Sequence, residues 1–140
     1  MEIYYANKYL YKDNIFLTPR ESYEQPIIKL TNLHSYKTYC LIMFDPDAVG
    51  GNKIHWLVTN ITDNNISNGN VLIKYKGPAP PKGSGIHHYV FCLLEQKTNI
   101  PIKNYNFNSR FIELTELFKK LYMDKKNVKI LDIRYFVSKN

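Results

Sequence analysis

Apolar residues come in short continuous runs through most of the chain, and in a helical rhythm only once. Tyr39 to Phe44, Trp56 to Ile61, Val71 to Tyr75, His88 to Leu94 and Ile130 to Val137 are each short, apolar and rich in β-branched or aromatic residues. That pattern predicts strands. Between them lie Asp45-Pro46-Asp47, Gly50-Gly51, Asp63-Asn64-Asn65, Ser67-Asn68-Gly69-Asn70 and the run from Gly77 to Gly83, all composed of residues that favour turns. Strands at this spacing predict a mainly antiparallel β-architecture. From Arg110 to Tyr122 the rhythm changes, with Phe111, Leu114, Phe118 and Leu121 recurring at spacings of three and four. This predicts one surface helix docked on a sheet, capped by Asn108 or Ser109. Glu113 and Glu116 near its start and Lys119 and Lys120 near its end suit the helix dipole.

Composition bounds the architecture. The 140 residues are 44% hydrophobic and 14% aromatic, which describes a globular chain able to bury one sizeable core. No repeat and no Pro-, Gly- or Ser-rich linker divides it, so residues 1–140 are expected to form a single domain. Cys40 and Cys92 sit inside apolar runs, and neither a CxxC pair nor a zinc spacing is present. Two reduced core thiols are expected. No apolar run approaches the roughly 18 residues of a spanning helix, and the amino terminus lacks signal-peptide character. A reducing, cytoplasmic location is the resulting expectation.

Charge adds a constraint on partners. Nineteen Lys and Arg oppose twelve Asp and Glu, giving +7. The excess is mostly C-terminal, with nine bases against four acids in residues 101–140. Phosphorylated ligands, nucleic acid and acidic membrane all present the complementary charge, and a solvated Lys-rich face explains the same numbers.

Three clusters can carry chemistry: Asp45-Pro46-Asp47, His55-Trp56 and the segment from Gly77 to Tyr89. Each places polar groups at the end of a predicted strand. In an antiparallel sheet the end of one strand lies beside the start of the next, which predicts one shared rim. There a carboxylate beside an imidazole fixes its tautomer and favours its cationic form. Cationic His55 and His87 would then face a phosphate or carboxylate. Pro80 and Pro81 supply rigid walls without donors, while Gly77, Gly83 and Gly85 let backbone approach a ligand closely. Taken singly, each cluster has a plainer reading: a turn, a hydrogen-bonded structural histidine and a rigid loop. His34, isolated from all three, is read as surface.

Taken in order, the clusters resemble the phosphatidylethanolamine-binding proteins, which include the Raf kinase inhibitor proteins and the plant flowering regulators. The motifs are Asp45-Pro46-Asp47-Ala48, then His55-Trp56-Leu57-Val58 through Ile61, then Tyr75 to Phe91 with its Gly-Pro-x-Pro-Pro-x-Gly-x-Gly-x-His-x-Tyr-Val-Phe core. Phe107-Asn108-Ser109-Arg110-Phe111 is similar to the family's helix entry, and Ile130 to Phe136 to its last core strand. The resemblance spans roughly residues 25 to 138. It implies an antiparallel, Greek-key β-sandwich with one or two peripheral helices, and a small cavity for phosphate or phosphorylethanolamine-type head groups. Carried over by position, Asp45, His55, His87 and Tyr89 line that cavity, Asp47 stands near its mouth, and Gly77, Pro80 and Pro81 form a wall.

The family usually continues Asp-Pro-Asp-Ala with Pro-Ser-Arg, whereas this chain has Val49-Gly50-Gly51, a shortened rim. The family's His-Arg-Tyr is here His87-His88-Tyr89, a titratable group in place of a permanent cation. The implied function is that of a non-enzymatic regulator that needs no cofactor and holds no metal. Its partners would be a phosphorylated small molecule or phospholipid head group, a protein such as a kinase or protease, and peripherally a membrane surface, with no specific nucleic-acid binding. Two other classes are weighed against it. Two His and two Asp also suit a metal- or His/Asp-dependent hydrolase, although no HExxH and no nucleophile elbow is present. Lys119, Lys120, Lys125, Lys126 and Lys129 suit a scaffold that binds polyanions through its surface, although no stacking aromatics accompany them.

Overall fold

The computed structural model describes residues 1–101, 107–121, 123 and 128–140. The predicted strands are present, each longer or shorter by a few residues: β5 (Thr38–Asp45), β6 (Lys53–Ile61), β7 (Asn70–Ile73), β8 (His87–Gln96) and β9 (Lys129–Ser138). Four short strands precede them: β1 (Glu2–Tyr5), β2 (Lys8–Tyr9), β3 (Ile15–Phe16) and β4 (Ile27–Lys29). They form a three-stranded sheet in the order β2-β1-β4 and a six-stranded sheet in the order β3-β9-β8-β5-β6-β7.

Strands β5, β6 and β7 follow one another, and β8 returns to lie beside β5. That is the spatial order of a Greek key. The pairings are antiparallel except at one edge, where β3 runs parallel to β9 through Ile15 and Phe136.

Alternation along the central strands divides the core in two. Tyr39, Leu41 and Met43 of β5 and Tyr89, Phe91 and Leu93 of β8 face Ile3, Tyr5 and Ile28 of the small sheet. Cys40, Ile42, Cys92 and Leu94 face the other way and pack with Leu117 and Leu121. Both cysteines are free and buried, in keeping with core thiols.

The helix is shorter than its periodicity predicts. α1 covers Leu114–Lys120, capped by Glu113 in extended conformation without a side-chain cap. Arg110 to Ile112 are instead drawn alongside β6: Ile54 N–H donates to Arg110 O (2.7 Å), and Ile112 N–H donates to Asn52 O (3.0 Å). Their backbone groups are spent on the sheet and cannot start a helix. Ser109 Oγ accepts from Phe111 N–H (3.1 Å) and so shapes a turn before the helix. Phe111 is exposed, and Leu117 joins Leu121 as the buried anchors. Tyr122, Lys125 and Lys126 lie outside the described residues. Among the described residues one 3-10 turn, Ile66–Asn68, is the other helical element, and no helix is long and apolar enough to cross a membrane.

Candidate functional site

The polar ends of the central strands meet at one edge of the sandwich. Along β5 the odd-numbered residues face the small sheet, and Asp45 continues that series. The β5–β8 register ends at Phe44 opposite Val90. One step further places Asp45 opposite Tyr89, and the same alternation brings His87 to that face. β6 reaches the site through an irregularity: Met43 pairs with Trp56 but Phe44 with Ile54, leaving His55 as the extra residue of a bulge. The bulge lets Trp56 face one core cluster and Ile54 the other, and it re-aims His55.

These side chains line a cavity of about 80 Å³, together with Ala48, Val49, Lys53, Ala79, Pro80, Pro81 and Phe111. Asp45, His55, His87 and Tyr89 are all at most 2% exposed. The space is far below the roughly 300–1,000 Å³ of sites for drug-sized ligands. It suits a group of a few heavy atoms.

Hydrogen bonds fix the polar groups. Asp45 Oδ2 lies 2.8 Å from His87 Nδ1, and Asp45 Oδ1 accepts from Asp47 N–H at 2.8 Å. The other His87 nitrogen, Nε2, lies 2.8 Å from Ser84 Oγ, whose hydroxyl donates to Pro81 O at 2.6 Å. With that proton committed, Ser84 Oγ faces His87 Nε2 as an acceptor. Burial, then the Asp45 carboxylate, pushes the Tyr89 phenol well above its ordinary range, so it stays protonated.

His55 departs from the expectation of a cation. Burial lowers its pKa from 6.5 to about 4; the Lys76 carbonyl and Asp45 oppose the shift, and Lys53 and Arg110 reinforce it. The ring is neutral near pH 7. Lys53, the register partner of Asp45, brings an ammonium to the cavity. Among the described residues no carboxylate lies within ion-pair distance of Lys53, and its Nζ stands 5.6 Å from the centroid of the Phe111 ring. Burial holds the Lys53 ammonium below its usual range, helped by Lys76 and Arg110 and opposed by Asp45.

Asp47 and Gly77 lie outside the lining. Asp47 Oδ2 accepts from the backbone N–H of His88 (2.8 Å) and meets its Nδ1 (2.7 Å), clamping the turn after β5 to β8. Burial opposes ionisation of Asp47, but the two His88 hydrogen bonds outweigh it and hold the carboxyl below its usual range. At Gly77 an added Cβ would stand 2.8 Å from Tyr23 O and 2.9 Å from Ser22 O. This glycine lets the loop press on the N-terminal segment, where Tyr75 Oη also donates to Ser22 O (2.7 Å).

Lys53, Ala48, Val49 and Phe111 line the cavity without being among the lining residues expected from the sequence. Phe111 supplies an aromatic wall beside the shortened turn, its ring 3.5 Å from where a Cβ on Gly50 would be. The pairing of Lys53 with Phe111 is an isolated bridge between segments distant in sequence. Among the described residues no group of three or more His, Cys, Asp or Glu is placed to hold a metal ion.

Comparison with known proteins bears on the family and the fold. The sequence pattern of the family described as phosphatidylethanolamine-binding protein matches residues 12–120. The fold is similar to that of a phosphatidylethanolamine-binding protein from Plasmodium vivax (TM-score 0.78, 20% identity, 99% of this chain and 84% of that one). It is also similar to a carboxypeptidase Y inhibitor solved with its cognate proteinase (TM-score 0.74, 19% identity, 99% and 82%). A Plasmodium falciparum phosphatidylethanolamine-binding protein gives a TM-score of 0.65 at 21% identity over 99% and 83%.

Proposed function

Because the chain belongs to the phosphatidylethanolamine-binding protein family, we propose that it is a binding protein whose cavity takes a small phosphate-type oxyanion and thereby regulates a protein partner. The observation that carries this reading is the ammonium of Lys53, without an ion-pair partner among the described residues, beside a small cavity of about 80 Å³. A half-buried cation without a carboxylate partner favours an anion that enters with few waters, since attraction strengthens as the site dries. The cavity's size limits that anion to a head group such as phosphate or phosphorylethanolamine. A kinase or a protease is the partner class in keeping with the family, of which a proteinase inhibitor is one structural neighbour. Two buried reduced thiols agree with a cytoplasmic setting.

Titration with inorganic phosphate and phosphorylethanolamine, followed by the NMR signals of His55 and His87, tests the reading. Saturable shifts at both rings are expected. Flat signals at millimolar ligand would overturn it.

A hydrolytic reading draws on one feature, the run Ser84 Oγ, His87 and Asp45, in which each link is 2.8 Å. The connectivity is that of a nucleophile, base and orienting acid. Yet the hydroxyl proton of Ser84 points to Pro81 O and not to the imidazole. Ser84 is thereby an acceptor for His87, the reverse of an activated nucleophile. Labelling of Ser84 by a fluorophosphonate would revive the hydrolase.

A further inference from the structure

The one cavity-lining imidazole with an unsatisfied nitrogen offers an acceptor where an anion site would be expected to offer a donor. His55 Nδ1 lies 2.7 Å from Lys76 O. A carbonyl oxygen only accepts, so the proton of the neutral ring is on Nδ1. Nε2 is then a bare lone pair, and it is buried without a partner. A buried acceptor left unpaired destabilises the empty site, and a ligand that donates to it recovers that loss.

Among the described residues no neighbouring group donates to it. His87 is held by Asp45 and Ser84, and Asp45 is an acceptor itself. The titratable and charged groups around the ring are Lys53 on its own strand, Asp45 from β5, Lys76 from the loop after β7, His87 and Tyr89 from β8, and Arg110. Arg110 Nη1 donates to the carbonyls of Ile54 and His55, both at 3.3 Å. Burial and the nearby cations keep His55 neutral down to about pH 4. Among the described residues that line the cavity, Lys53 is a cation without a carboxylate partner and His55 Nε2 an acceptor without a donor.

Resting on the oxyanion reading above, we infer that the cavity selects the monoanion of a phosphate monoester, whose charged oxygens meet Lys53 while its remaining P–OH donates to His55 Nε2. The dianion lacks that proton and adds a charge facing Asp45. A phosphodiester, as in an intact phospholipid, has the right charge but no P–OH. The site would thus read a protonation state and distinguish a free monoester from a lipid-type diester.

Methyl phosphate and methyl sulfate provide the test. At pH 5.5 both carry one negative charge and have nearly the same shape, and only methyl phosphate has an acidic hydroxyl, because its second pKa lies near 6. Binding to the unmodified protein is measured by NMR titration at pH 5.5 and 8, with dimethyl phosphate as the diester. The expectation is that methyl phosphate at pH 5.5 binds about tenfold or more tighter than methyl sulfate and dimethyl phosphate. Its affinity should also fall toward pH 8 more steeply than that of methyl sulfate, whose own pH dependence reports only groups of the protein. Equal binding of the three ligands at pH 5.5 would overturn the selection and leave the oxyanion site standing. Binding of none at millimolar concentration would overturn both.

Discussion

His87 Nδ1 and Asp45 Oδ2 lie 2.8 Å apart, buried, joining residues 42 positions distant in the chain. The bond ties the end of β5 to the start of β8 at the mouth of the sandwich, where the β-ladder between them has ended. It therefore replaces backbone pairing as the closure of the site.

Removing one member leaves the facing atom of the other, His87 Nδ1 or Asp45 Oδ2, buried without its partner, a larger loss than the pair's net contribution. Asp45→Ala and His87→Ala are each expected to lose about 3–5 kcal/mol of stability. The double variant should lose clearly less than the sum, because the second truncation removes the orphan left by the first. Urea unfolding of the three variants measures this, and strictly additive losses would contradict a coupled pair.

The neutral state of His55 predicts a pH dependence of stability. Its pKa falls from 6.5 in the unfolded chain to about 4 in the folded one. Between those values the unfolded state binds a proton that the folded state refuses, so stability is full above about pH 6.5, declines as pH falls through the window, and levels off below 4. At 1.36 kcal/mol per pKa unit the decline attributable to this ring is roughly 3 kcal/mol. His55→Gln, compared with the parent from pH 7 to pH 4, should lose that part of the slope. An unchanged slope would mean that the folded ring takes up its proton as freely as the unfolded one.

Gly77 separates a structural from a ligand-contacting role. An added methyl would meet the backbone oxygens of Tyr23 and Ser22 at under 3.0 Å, and a backbone neighbour yields less readily than a side chain. Gly77→Ala should cost about 1–3 kcal/mol, as overpacking does, while leaving phosphate affinity unchanged per folded molecule. Thermal unfolding and ligand titration on the same sample read both quantities. A stability within experimental error of the parent would show that the loop shifts freely.

The central strands were legible because they are buried on both faces and so read as continuous apolar runs, with Tyr39 to Phe44 as the plainest case. β1 to β4 were not, because two to four residues give too little pattern to set against a turn. The helix start was misread for a different reason. Phe111 has the spacing of a helical apolar residue, but Arg110 to Ile112 find backbone partners on β6 that the local sequence does not reveal. In the candidate site, Asp45, His55, Pro80, Pro81, His87 and Tyr89 belong to sequence motifs, and they line one cavity. Lys53 was missed because its position depends on the register with Asp45 across a bulge. The charge of His55 was misjudged because burial, which the sequence does not display, outweighs its carboxylate neighbour.

Lys53 carries the last prediction. Its ammonium is partly desolvated, near Lys76 and Arg110, and its favourable neighbour Asp45 is engaged with His87. Lys53→Met keeps an unbranched apolar stem beside Phe111 and removes the charge. Stability should hold or rise slightly, since a like-charge contact is relieved. Phosphate affinity should fall about ten- to a hundredfold, the range of a charge-assisted hydrogen bond worth roughly 1.5–3 kcal/mol. Lys53→Arg should retain most of the affinity, as a second cation of similar reach. Calorimetric titration of phosphate into the parent and both variants decides the matter. Undiminished binding in Lys53→Met would move the cation of the site elsewhere, to Arg110 or the His87 ring, and with it the physical basis for anion capture at this cavity.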